Sequence, residues 1–164
     1  MAWKQIRHLR MLVWLLVLHS VGGHTAKLSF EIQNKEGRLL PCRIHLFDEI
    51  EKPQRAADLP FWRDHFVCPG TAELELPTGH YRYEIERGPE YERLKGGVAI
   101  SNESPQLVRL SLKRIANLRG EGWFCGDLHI HRPLSQIDLL MQAEDLDFAP
   151  VITWWNHRNH WGQN

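Results

Sequence analysis

The sequence predicts a β-sandwich followed by a βαβ unit, the first turn of an α/β domain. Three observations predict it. Residues 27–112 hold short runs with apolar residues at every second position, separated by turn residues. No stretch of useful length in that region has the 3.6-residue period of a helix. From residue 123 the pattern changes to strand, helix and strand within roughly 30 residues, the signature of a βαβ unit.

Residues 1–23 read as a secretory signal. Lys4, Arg7 and Arg10 supply its positive start, Met11 to Leu18 its apolar run, and Val21 and Gly23 the small residues before a cut. The run is shorter than the roughly 20 apolar residues needed to span a bilayer. A secreted or periplasmic location is therefore expected, the segment being cleaved or, in the alternative, kept as an anchor, with no membrane contact beyond it.

The sandwich is expected over residues 24–113. In residues 27–33 Leu28, Phe30 and Ile32 point inward, and in residues 43–48 Ile44 and Leu46 do. Residues 72–76 alternate and stop at Pro77. Pro77-Thr78-Gly79 turns into residues 81–87, with Tyr81, Tyr83 and Ile85 inward. Residues 98–100 and 107–112 close the series. Residues 49–68 contain Pro53, Pro60, Phe61, Trp62 and Phe66 without alternation, and are expected to form a long loop packed on the sandwich. His45, His65 and His80 fall at unrelated spacings and are expected in surface or structural roles.

Residues 114–122 form a connector, and a second unit occupies residues 123–164. Its first strand contains Gly126-Asp127-Leu128-His129-Ile130-His131. Residues two apart on a strand share a face, so Asp127, His129 and His131 lie together. Two imidazoles and a carboxylate on one face are suited to a divalent cation. Pro133 ends this strand. Ser135 with Asp138 three residues on suggests a helix cap, and the helix runs to Leu146 with Ile137, Leu140, Met141 and Ala143 inward. Residues 148–153 form the second strand, so functional residues are expected at His131 and at residues 153–157.

Charge and cysteine content narrow the function. The chain has 20 basic and 20 acidic residues, which gives no field for nucleic acid. Its three cysteines include no Cys-x-x-Cys pair, excluding a zinc ribbon or thioredoxin motif. Cys42 and Cys68 either pair across the sandwich or stand as small buried apolar residues; Cys125 is expected in the core.

Gly126-Asp127-Leu128-His129-Ile130-His131 resembles the opening motif of the polymerase-and-histidinol-phosphatase (PHP) superfamily, most nearly its extracytoplasmic CehA/McbA-like metallohydrolases. The preceding region, with Leu76-Pro77-Thr78-Gly79-His80-Tyr81 and Glu86-Arg87-Gly88-Pro89-Glu90-Tyr91, is similar to a carboxypeptidase-regulatory-like, immunoglobulin-like β-sandwich module. The resemblance implies a PHP-type α/β barrel with two or three divalent metals (Zn, Mn or Fe), hydrolysing a small-molecule or phosphate-ester substrate. It implies His129 and His131 as the first metal ligands and Asp127 as a less certain third. His157 is a weaker candidate ligand, and Arg132 a weaker candidate for an anionic substrate group.

The sequence departs from the family pattern at two places. Arg132 and Pro133 follow the histidine pair where Thr or Ser is usual. Thr153-Trp154-Trp155-Asn156 stands where Thr-Asp-His-Asn is usual, and an indole N–H only donates. A barrel of this kind takes on the order of 250 residues. The chain is thus expected to be the N-terminal fragment of an exported PHP-like metal-dependent hydrolase, catalytically incomplete alone. The alternative expectation is a secreted binding or adhesion sandwich with a metal-free PHP remnant.

Overall fold

In the computed structural model, residues 25–102 and 105–161 are described. The expected signal segment lies outside them. No helix among the described residues is long and apolar enough to cross a membrane.

Eight strands build the sandwich: β1 (Thr25–Gln33), β2 (Cys42–Phe47), β3 (Phe61–Trp62), β4 (His65–Cys68), β5 (Thr71–Pro77), β6 (Gly79–Glu86), β7 (Leu94–Ile100) and β8 (Gln106–Ser111). One sheet has the order β5-β1-β8 and the other β3-β4-β2-β6-β7. β1 runs antiparallel to β5 and parallel to β8. The period-2 pattern delivers the core as expected: Leu28, Phe30, Ile32, Ile44, Leu46 and Ile85 are almost wholly buried. Tyr81 is buried too, and its hydroxyl donates to the Pro77 carbonyl at 2.9 Å. That bond satisfies a phenol that would otherwise be costly inside.

One expectation is corrected here, and for the cysteines the second of the two alternatives is met. Residues 49–68 are not all loop, because β3 and β4 form a hairpin there that extends the larger sheet. Two- and four-residue strands with mixed aromatic and polar side chains are too short to show an alternation. Cys42 and Cys68 face each other across β2 and β4 within one sheet, not across the two sheets. They are buried free thiols with sulfurs 3.7 Å apart. The Cys68 thiol beside it, together with burial, pushes the Cys42 thiol well up.

The single α-helix described, α1 (Leu134–Glu144), packs on the outer face of the larger sheet, against β2 and β4. Ile137 and Ala143 are buried beneath it, while Leu140 and Met141 are half-buried. Ser135 does not cap the helix. Pro133 occupies the cap position with no side-chain hydrogen bond, and Ser135 lies inside the first turn. The proline ring already sets the backbone for helix entry, so the start is fixed without a hydroxyl.

The far end of α1 is bound by charge. Asp145 adopts a left-handed conformation there, with φ 55°. The buried Arg87, just past β6, donates to the carbonyls of Pro41 (2.6 Å) and Gln142 and to the Asp145 carboxylate (2.8 Å). A guanidinium at a helix C-terminus satisfies carbonyls that the helix leaves unpaired. Gly88 next to it allows the close approach, since a Cβ there would collide with the Glu144 carbonyl.

The strands flanking α1 are slighter than expected. Residues 123–131 and 148–153 meet only at two parallel bridges, Gly126 with Phe148 and Ile130 with Val151. Gly126 is required for this approach, because a Cβ would run into the Phe148 ring. Cys125 is exposed rather than in the core. A small hairpin follows, β9 (Trp154–Trp155) and β10 (Arg158–Asn159), turning through Asn156 and His157 at φ 49° and 60°. Two consecutive positive φ values suit the type I′ turn of a tight hairpin.

Candidate metal centres

The first bridge segment brings His129 and His131 together. Their Nε2 atoms are 3.1 Å apart and their rings meet edge to face at 4.8 Å. Both side chains are exposed, and so is Leu128 between Asp127 and His129, where the expected alternation placed an inward residue. Adjacent ligands on a tetrahedral zinc ion with bonds of about 2.0–2.1 Å are about 3.3 Å apart, so this pair fits one edge of such a site. Asp127 fits less well. Its Oδ1 accepts from the His129 backbone N–H at 2.9 Å, so the carboxylate closes a local turn.

An aromatic stack packs beside His131. The Trp155 edge meets His131 at 4.8 Å, and the opposite contact of Trp155 is a stack on His160 at 3.5 Å. His157 sits exposed at the hairpin turn, and the structure does not bring it to His129 and His131. Among the described residues, no third His, Cys, Asp or Glu ligand atom lies within 4.8 Å of both imidazoles. A cavity of about 270 Å³ opens beside His131, lined also by Arg132, Val151, Thr153 and Trp155. The Arg132 guanidinium stacks over Trp62 of β3 at 5.2 Å and donates to Gln136 at 3.2 Å.

A second cluster, which spacing along the chain does not reveal, lies on the sandwich. His45 of β2 and His65 of β4 are register partners on the outer face, with rings 4.9 Å apart. Asp64, in the β3–β4 turn, places one carboxylate oxygen 3.2 Å from His45 Nδ1 and the other 3.0 Å from His65 Nδ1. All three ligand atoms lie within 4.8 Å of one another. The unrelated spacings of His45 and His65 along the chain do not keep the two rings apart. Antiparallel pairing, not sequence spacing, sets the distance.

The electrostatics of this cluster follow from its cover. Burial holds His65 below the ordinary histidine range, more strongly than its Asp64 hydrogen bond raises it. Burial works to raise Asp64, but the hydrogen bonds and charge of His65 and His45 outweigh it and hold the carboxyl low.

No protein-family model matches the chain, and no curated protein is significantly similar to it.

Proposed function

We propose that this chain carries the N-terminal sandwich and the first ligand-bearing segment of an exported PHP-like metal-dependent hydrolase, with a phosphate ester or similar small molecule as substrate. The observation that carries this reading is the convergence of His129 and His131, with Nε2 atoms 3.1 Å apart, beside a cavity. The two ring nitrogens stand at hydrogen-bond distance, close enough for one cation to take the place of the proton between them. A divalent cation held there supplies Lewis acidity and a water of lowered pKa. Arg132 lines the same cavity and offers a guanidinium to an anionic group, while its stack on Trp62 fixes its position. Asp127 orients the backbone at His129 rather than serving as a ligand.

A second reading has its own support. The missing third ligand and the Trp155 contact on His131 also suit a secreted binding module whose PHP segment holds no metal. Zinc or manganese titration of the metal-free chain separates the two. The hydrolase reading expects His129→Ala/His131→Ala to bind one equivalent fewer than the parent chain. Identical stoichiometry in the two proteins would overturn it.

A further inference from the structure

We propose that His45, His65 and Asp64 form a second divalent-metal site, of the zinc type, on the sandwich itself. It is independent of the His129 and His131 pair and of the reading built on them.

The geometry argues for it in three ways. First, the ligand set is right. Two imidazoles and a carboxylate suit Zn²⁺ and its neighbours in the first transition row, and three protein ligands are the number found where a fourth position stays open. The two N···O separations, 3.2 and 3.0 Å, approach the edge length of about 3.3 Å expected for tetrahedral zinc.

Second, rigid elements set the ligands. His45 and His65 sit opposite each other on paired strands whose other faces, Ile44 and Phe66, are locked in the core. Asp64 is returned over them by a turn in which Arg63 takes φ 55°, rare for a residue with a Cβ. The Asp64 N–H closes that turn on the Trp62 carbonyl at 2.7 Å. An uncommon backbone state is retained only where the surroundings over-determine it.

Third, neighbouring charged groups offer a cation little competition. The imidazoles are 17% and 15% exposed, whereas Asp64 is 49% exposed, so the site is half-covered and opens on the carboxylate side. His45 Nε2 is buried without a hydrogen-bond partner, so ring placement is not explained by a satisfied network at both nitrogens. The next acid along the sheet, Glu84, faces His45 across β6 but is engaged by Arg93 and Lys95. Arg43, whose charge acts on His65, is paired with Glu86 and Glu144. The fourth coordination position is left to solvent.

The test uses the whole chain with the other pair removed. Metal-free His129→Ala/His131→Ala protein is titrated with Zn²⁺ by calorimetry and with Co²⁺ by absorption. One equivalent at micromolar affinity or tighter is expected, with the strong visible band of tetrahedral cobalt. Adding Asp64→Asn or His45→Gln should abolish both signals. Asp64→Asn changes a half-exposed turn residue, and its metal-free melting curve is expected to match that of the parent fold. No binding by His129→Ala/His131→Ala, or binding undiminished by both further substitutions, would overturn the site. The converse protein, Asp64→Asn/His45→Gln alone, reports on the His129 and His131 pair, so failure of one reading is distinct from failure of the other.

Discussion

In the sandwich, Leu28, Phe30, Ile32, Ile44 and Leu46 are essentially inaccessible to solvent; in residues 123–161, Trp123, Phe124, Leu128, Trp154 and Trp161 are each more than 60% exposed. The sandwich is joined by continuous ladders, the second region by two isolated bridges, one helix and a short hairpin. Besides the buried Ile130, Ile137 and Ala143, ion pairs hold the second region in place. Arg87 grips the C-terminus of α1, Arg114 reaches Asp145 and Glu90, and Arg119 reaches Asp147 at 2.5 Å. Arg43 lies 3.0 Å from Glu144, an ion-pair distance without hydrogen-bond alignment. One region has a hydrophobic core of its own, and the other borrows the surface of the first.

The largest expected effect breaks that dependence. Arg87→Ala leaves two carbonyls without their donor and Asp145 with Arg114 alone, a loss of about 3–5 kcal/mol. Hydrogen exchange should show α1 opening while the ladder of β1 with β5 stays protected. Equal loss of protection in both would mean that the regions fold as one unit. A paired substitution sharpens the contrast. Leu28→Ala should cost about 2–5 kcal/mol in a denaturant melt, as cavity formation in a packed core does. Leu128→Ala, at a side chain 70% exposed, should stay within about 0.5 kcal/mol.

The smallest effect is a change of slope with pH. Burial raises the Glu144 carboxyl above its usual range; Arg43 and His45 oppose this, and Glu86 and Asp127 reinforce it. A carboxyl raised in the folded state binds its proton more tightly there than in the unfolded chain. Its contribution is therefore present below the ordinary carboxylate range and lost as pH rises through the raised value. Glu144→Gln should remove that fall between mildly acidic and neutral pH. A slope unchanged from the parent protein would contradict the assignment.

Much of the sandwich was legible because its strands are long enough to alternate. β1, β2, β5 and β6 each carry three or more positions whose inward partners are apolar, and all four appear near their expected bounds. β3 and β4 were not legible, since Phe61-Trp62 and His65-Phe66-Val67-Cys68 are too short for a period. The same shortness hid the second cluster, because His45 and His65 become neighbours only when β2 and β4 pair. His129 and His131 were legible because two residues along an extended chain stay neighbours without help from any other element. Asp127 shares their spacing, yet its short carboxylate finds the His129 backbone first. Ser135 misled because a capping pattern counts for nothing once Pro133 has already placed the chain.

β1 is the central strand of its sheet, and both of its partners come later in the chain: β5 at Thr71–Pro77 and β8 at Gln106–Ser111. During synthesis its two hydrogen-bonding edges must wait, open, until those segments arrive. Closing such long loops before any pairing is gained slows folding relative to helical proteins of the same size. An open strand flanked by Leu28, Phe30 and Ile32 is also a template for the wrong neighbour. The parallel seam between β1 and β8 is thus the last stitch of the sandwich, and the step at which a nascent chain is most exposed to misassembly.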